Sequence, residues 1–114
     1  TFDSSASSGS VNMRFSGTGA MGILGTGTRT IYLTGTNNNT SVTTNNIMSV
    51  DLVDDGFNAT SLWKKGTGSW VISRNGAAAG NSYTGTTTIE RGTLILNFNT
   101  STGPVADLIR SVSP

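Results

Sequence analysis

The sequence predicts an all-β fold, a solenoid of about five stacked coils. Composition is the first observation: of 114 residues, 34% are hydrophobic, 11% are charged and 15 are glycine. Short apolar clusters separated by Gly, Ser, Thr and Asn favour strands and tight turns over helices. The second observation is an internal repeat of short strands and polar turns. Such repeats indicate coils that stack on one another to complete a shared core.

Charge and the absent residue types exclude several functional classes. The net charge is +1, and only Lys64 and Lys65 are adjacent basic residues, whereas a nucleic-acid surface needs clustered Lys and Arg. The chain has no Cys and no His, so disulfides, Cys- or His-based nucleophiles and the usual zinc sites are excluded. No apolar run reaches the ~18 residues of a membrane span. We therefore expect no nucleic-acid partner, no cofactor and no membrane span in this segment.

The first half of the chain predicts three strands. Residues 1–10 are small and polar, and we expect an extended lead-in or a strand that needs a neighbour. Apolar and polar residues then alternate at 11–15, 30–34 and 47–53, as they do along half-buried strands. The residues expected to face inward are Val11, Met13, Phe15, Ile31, Leu33, Met48, Val50 and Leu52.

The second half predicts shorter strands between glycine turns, so that coils extend over 11–98. A short strand begins at Leu62, and others are expected at 70–73, 86–90 and 93–98. In the last of these, the residues expected to share a face are Leu94, Leu96 and Phe98.

The tail over 99–114 changes character. Its apolar residues recur at i, i+3, i+4 and i+7, which predicts a short helical turn, and Pro104 suits a first helical position. An irregular cap is the alternative, and either form could close the solenoid or hook onto a neighbouring unit. The apolar residues are Val105, Leu108, Ile109 and Val112.

Two segments of the chain can be aligned with a constant offset. AMGILGTGT at 20–28 matches SLWKKGTGS at 61–69, with Gly25 opposite Gly66 and Met21 opposite Leu62, 41 residues apart. Because one coil of a β-solenoid needs roughly 20 residues, this offset predicts two coils.

The run KKGTGSWVISRNGAAAGNSYTGTTTIERGTLIL resembles the autotransporter-associated β-strand repeat. The insertion AAAG at 77–80 departs from the family pattern. The resemblance implies a right-handed parallel β-helix in large secreted or surface-exposed bacterial proteins, and it implies no activity, because these repeats typically form stalks. The matching residues are Lys64, Gly66, Gly68, Trp70, Ile72, Asn81, Tyr83, Thr84, Gly85, Thr87, Ile89, Gly92, Thr93 and Leu94.

Two residue groups carry alternative interpretations. Asp51, Asp54 and Asp55 could act as paired carboxylates in a polysaccharide-cleaving enzyme or bind calcium, but a solvated turn is the simpler interpretation. Trp63 and Tyr83 could contact a glycan, whereas the family pattern assigns Trp70 to the core.

The sequence therefore predicts a structural extracellular scaffold rather than an enzyme. It would be a segment of a bacterial surface stalk, or a subunit that stacks end to end into a fibre, with itself or neighbouring repeats as its partner. A carbohydrate-binding or adhesin module is the alternative, and a polysaccharide-acting enzyme ranks last.

Overall fold

The computed structural model describes residues 1–5, 12–17, 19–22, 24–73, 81–97 and 109. Within these residues the regular structure consists of β-strands alone. The strands are β1 (Phe2–Asp3), β2 (Arg14–Phe15), β3 (Arg29–Thr34), β4 (Ile47–Met48), β5 (Thr60–Lys64), β6 (Ser69–Ser73), β7 (Thr87–Ile89) and β8 (Thr93–Asn97).

These strands form two four-stranded parallel sheets. Sheet A has the order β1-β3-β5-β7, and sheet B has the order β2-β4-β6-β8. Every neighbouring pair within a sheet is parallel. Consecutive strands therefore alternate between the sheets, and each joins its own sheet one place further along. This confirms the all-β prediction and the parallel pairing, and it is compatible with a solenoid.

The described strands make four coils, each with one strand in each sheet, so the prediction of about five coils is not confirmed. The coils are unequal in length. In sheet A, register partners are 31 residues apart at Phe2–Leu33 and at Ile31–Leu62, but 25 apart at Leu62–Thr87. A coil of roughly 20 residues is thus too short an estimate, because the turns are longer than that figure allows.

The pairing register differs from the alignment of the two glycine-rich segments. Leu62 pairs with Ile31, not with Met21. The backbone amide of Met21 instead donates a 2.8 Å hydrogen bond to the carbonyl of Asp51. The 41-residue offset is therefore wrong as a structural repeat, and the two segments share turn composition only.

The apolar core lies between the inner faces of the two sheets. Alternate residues of each strand point to the same face, so Ile31 and Leu33 enter the core together, as predicted. Met13 and Phe15 of the first coil pack against it and are partly buried. The buried members of the core are Ile31, Leu33, Met48, Leu52, Leu62, Trp70, Ile72 and Tyr83.

The strand predicted over 47–53 is only partly formed. It ends at Met48, and Asp51 makes an isolated bridge with Ala20. The inward residues are nevertheless confirmed, since Met48 and Leu52 are buried and Val50 packs against the core. β4 pairs with the two-residue β2 on one side and with Val71 and Ile72 of β6 on the other.

β1 lies within residues 1–10, for which either an extended lead-in or a strand that needs a neighbour was expected. Phe2 and Asp3 form such a strand, and its neighbour is β3. No helix in the described ranges is long and apolar enough to cross a membrane. Outside the described residues lie the helical turn predicted over 104–112, apart from Ile109, the insertion at 77–80, Val11 and Phe98.

Candidate functional site

Lys64 is the first residue of the repeat signature, and it lies at the end of β5 with 0% of its surface exposed. Its Nζ donates hydrogen bonds to the carbonyls of Lys65 at 2.6 Å, Gly66 at 3.0 Å and Arg91 at 3.1 Å. The first two belong to the β5–β6 turn and the third to the β7–β8 turn. One ammonium group, with three protons to donate, thus holds two stacked turns together.

The aliphatic part of Lys64 lies in an apolar column. Its register partners are Leu33 in β3 and Ile89 in β7. Burial lowers the pKa of the Lys64 ammonium, because its charged form loses contact with water. The carbonyl acceptors orient the ammonium without neutralising its charge. Lys64 is therefore a fixed part of the corner between the sheets.

Two glycines allow the corner to be tight. Gly66 has φ 69° and Gly92 has φ 72°, both in the left-handed region that favours glycine. A Cβ on Gly66 would lie 2.6 Å from the carbonyl oxygen of Gly35 in the preceding coil. A Cβ on Gly92 would lie 2.6 Å from the carbonyl oxygen of Gly66. Gly68 adds a 2.9 Å amide hydrogen bond to the same Gly35 carbonyl.

The second part of the signature joins the β6–β7 turn to the coil before it. The Thr84 hydroxyl donates a 2.7 Å hydrogen bond to the Asp54 carboxylate, which also accepts the backbone amides of Thr84 and Thr60. Burial raises the pKa of Asp54, but the hydrogen bonds from Thr84 and Thr60 outweigh it, so that this pKa lies below its ordinary value. Gly85 donates its amide to the Thr60 carbonyl at 3.0 Å.

Asn81 and Tyr83 face the interior. The Asn81 Oδ1 accepts the backbone amide of Leu52 at 2.7 Å, another contact with the preceding coil. Tyr83 is 0% exposed, and its hydroxyl makes a 2.6 Å hydrogen bond with the Thr87 hydroxyl. Because the Tyr83 ring is enclosed, it is not open to a glycan, which corrects that part of the glycan hypothesis.

The remaining signature residues lie in or beside the strands of the last two coils. Trp70 is a core residue, and its Nε1 donates a 2.9 Å hydrogen bond to the Thr34 carbonyl. The others are Ile72, buried in β6, Leu94, half-buried in β8, and Ile89 and Thr93, which are exposed at the end of β7 and the start of β8.

Asp55 organises the turn that precedes β5. Its carboxylate accepts the backbone amides of Phe57 at 2.9 Å and Asn58 at 2.7 Å, and a 3.0 Å hydrogen bond from Nη2 of Arg29. The Phe57 and Asn58 amides hold the pKa of Asp55 well below its usual range. With Asp54 committed to Thr60 and Thr84, both carboxylates act as turn acceptors.

The acidic side chains of the described residues do not form a metal site. In the part of the chain that the structure describes, no group of three or more His, Cys, Asp or Glu side chains could hold a metal ion. Asp51 is buried and contributes its backbone to the bridge with Ala20.

Trp63 points outward from sheet A together with a residue that the sequence did not single out. Tyr32 pairs with Trp63 in register, and the ring centroids are 5.8 Å apart. The Lys65 ammonium lies 4.4 Å from the Trp63 centroid and 5.1 Å from that of Tyr32, and 3.7 Å from the Glu90 carboxylate. These residues form an outward aromatic pair covered by a cation. Tyr32 is recognised as the neighbour of Trp63 only when the 31-residue register between β3 and β5 is known.

A buried asparagine is a second feature that sequence reasoning missed. Oδ1 of Asn46 accepts the Ser4 hydroxyl at 2.6 Å and the Met13 amide at 3.0 Å, and its Nδ2 donates to the Ser69 carbonyl at 2.9 Å. These contacts join three successive coils. The only sequence signal is an Asn-rich run, which equally describes an exposed turn.

The comparison with protein families covers the residues that form these contacts. Residues 62–96 match the model of the family described as Passenger-associated-transport-repeat. Searches of curated proteins and of solved structures gave no match. The matched range begins in β5, ends in β8 and contains every signature residue from Lys64 to Leu94. Residues 62–96 are therefore similar to a passenger-associated-transport repeat, in agreement with the resemblance seen in the sequence.

Proposed function

We propose that this chain is a structural segment of an extracellular bacterial protein, either one stretch of a surface stalk or a subunit that stacks end to end into a fibre. In this proposal the coils wind right-handedly, as parallel crossover connections do in about 98% of cases. The partners are neighbouring coils of a longer chain or further copies of this one.

The contacts of the signature residues are the main support. Lys64, Asn81 and Thr84 each direct a polar group to a backbone or side-chain atom of an adjacent coil. The signature residues thus connect adjacent coils. Such contacts are expected in a scaffold, because the stability of a repeat protein arises largely from the interfaces between neighbouring repeats. The match to a passenger-associated repeat supports a location outside the cell or on its surface.

The two ends of the stack give further support. At the first coil, the rings of Phe2 and Phe15 lie 4.4 Å apart and are only partly buried. At the last coil, Leu94 and Leu96 pack against the core but remain half-buried. In repeat proteins such faces are completed by another repeat or by a cap, and edge strands left open favour pairing with another chain.

Electron microscopy of the purified chain over a range of concentrations tests this proposal. Filaments that lengthen with concentration are the expected result for a fibre subunit, since end-to-end contacts that do not close give filaments. Short particles of one length at every concentration would contradict the fibre version. Retained protease resistance of those particles would support the stalk version, whereas an unfolded chain would contradict both.

A glycan-binding module is the second candidate, and the outward pair of Tyr32 and Trp63 is the observation that favours it. Aromatic rings side by side can stack against the apolar face of a sugar, and Lys65 could attract an anionic substituent. Glycan-array binding should be lost in Tyr32→Ala and Trp63→Ala. Phe57→Ala is the matched control, because Phe57 is an aromatic residue that is 95% exposed and lies in the turn before β5 rather than on the strands that carry this pair. Equal binding by all variants would contradict this function.

A further inference from the structure

The aromatic pair of Tyr32 and Trp63 lies beside a charged side chain on the outer face of sheet A. The two residues are register partners in β3 and β5. Both rings point outward, because the chain neighbours Leu33 and Leu62 lie in the core. Lys65 follows two residues after Trp63 and therefore points to the same side. Its backbone amide continues the ladder with a 2.8 Å hydrogen bond to the Leu33 carbonyl.

The Lys65 ammonium occupies the ring faces on which a sugar would stack. Its Nζ lies over both rings, 4.4 Å from the Trp63 centroid and 5.1 Å from the Tyr32 centroid. Both distances are within the roughly 6 Å over which a cation is attracted to an aromatic face. A sugar that stacks on this pair must therefore displace the ammonium.

Glu90 holds the ammonium in this position. Lys64 and Ile89 are register partners, and the Glu90 amide donates a 2.9 Å hydrogen bond to the Lys64 carbonyl. Lys65 and Glu90 therefore lie side by side on the outer face, with 3.7 Å between Nζ and the carboxylate. Their side chains are 40% and 46% exposed. Because water screens such a pair, it is weak enough to exchange partners.

We propose that Lys65 is a lid over the aromatic pair, that Glu90 keeps this lid closed, and that a glycan carrying carboxylate groups opens it. The proposal rests on the glycan-binding candidate described above and specifies its ligand. A carboxylate of the glycan takes the place of Glu90 beside the ammonium. The ammonium then moves off the rings, and a sugar ring stacks in its place.

The balance of charges favours an acidic ligand over a neutral one. A neutral sugar would have to displace the ammonium from the rings without offering it a new anion. An acidic sugar exchanges one ion pair for another, so that opening the lid costs it less. A ligand shifts such an equilibrium only by its differential affinity for the open state. The carboxylate of the ligand is therefore what gives the site its selectivity.

Quenching of tryptophan fluorescence by acrylamide tests the lid without any ligand. The chain has two tryptophans, and Trp70 is 1% exposed in the core, so quenching reports mainly on Trp63. Lys65→Ala should increase the quenching constant by roughly 1.5-fold or more, because the rings lose their cover. Arg91→Ala is the matched control. It removes an exposed cation next to Glu90 and should leave the quenching constant unchanged. Equal quenching in the parent chain and Lys65→Ala would overturn the lid.

Binding to acidic polysaccharides and to their methyl esters tests the choice of ligand. Polygalacturonate and hyaluronate are suitable probes, because esterification removes the charge and leaves the sugar rings unchanged. We expect at least one acid to bind the parent chain roughly 10-fold more tightly than its ester, as one charge-assisted contact would give. Glu90→Gln should strengthen binding of that acid by roughly 3-fold, because Lys65 loses a competing partner. Lys65→Ala should bind acid and ester alike.

The outcomes separate this proposal from the glycan function on which it rests. If neither these polymers nor the arrayed glycans bind any variant, both are contradicted. Equal binding of acid and ester by the parent chain, or weaker binding of the acid by Glu90→Gln, would overturn the lid and leave an open glycan site. Circular dichroism should show the same fold in all variants, because the substituted side chains lie on the outer face. Should Lys65→Ala fail to fold, Lys65→Gln gives the same comparison.

Discussion

Leu33 and Lys64 are register partners on the inner face of sheet A, and both are fully buried. The lysine stem continues the apolar column that Leu33 begins, while its ammonium turns to the carbonyls of Lys65, Gly66 and Arg91. A long side chain with an apolar stem and a donating tip can make both sets of contacts. This relationship explains why lysine occupies the first position of the signature.

Replacing Lys64 with Met should lower the free energy of unfolding by about 1–3 kcal/mol, because buried carbonyls lose their donor while the stem is kept. Urea unfolding followed by circular dichroism measures the change. Lys65→Met is the control. It removes a partly exposed ion pair with Glu90 and the contacts of the ammonium with the Tyr32 and Trp63 rings. Each of these is worth less than about 1 kcal/mol at a partly exposed site and none is a buried carbonyl contact, so the loss should be smaller than for Lys64→Met. Equal effects of the two substitutions would contradict the structural role of Lys64.

Gly66→Ala and Gly25→Ala should differ although both glycines have positive φ, at 69° and 85°. In the left-handed region alanine alone costs roughly 1–2 kcal/mol. At Gly25 a Cβ meets nothing within 4 Å, whereas at Gly66 it would lie 2.6 Å from the Gly35 carbonyl oxygen. We therefore expect a distinctly larger loss of stability for Gly66→Ala in thermal unfolding. Similar melting temperatures would show that the corners of the coils are not closely stacked.

Asp55 should make stability depend on acid pH. Its folded-state pKa is lowered, above all by the amides of Phe57 and Asn58. The carboxylate therefore stabilises the fold fully above its unfolded pKa of about 3.9, and this contribution is lost as the pH falls through the folded pKa. Asp55→Asn should be less stable than the parent chain at pH 7, and the difference should shrink below about pH 4. A difference that stays constant from pH 7 to pH 2 would contradict this assignment.

Asn46→Ala should lower the free energy of unfolding by about 2–4 kcal/mol, because the Met13 amide and the Ser69 carbonyl are left without this partner. Asn38→Ala provides the control, since Asn38 is exposed on the same turn, and surface substitutions usually change stability by less than about 0.5 kcal/mol. Hydrogen exchange should also rise at the Met13 amide in Asn46→Ala. If both variants unfold at the same denaturant concentration, Asn46 does not join the coils.

Local patterns were enough to predict most strands and their facing. Alternation placed Ile31, Leu33, Met48 and Leu52 inward, because successive side chains of a strand point to opposite faces whatever the strand pairs with. The signature from Lys64 to Leu94 likewise lies in a continuous stretch, which the family match covers.

The tertiary structure alone decided the register, the lengths of the coils and the direction of individual aromatic side chains. Register depends on pairing between residues such as Ile31 and Leu62, and turns of unequal length shift that pairing without changing the strand pattern. For the same reason Tyr83 is enclosed while Trp63 and Tyr32 meet on the outer face. The sequence by itself determined where most strands lie and which of their aliphatic residues face the core, because alternation along a strand is local. Which coil each residue meets, and which polar groups join the coils, depended on how the turns bring distant residues together.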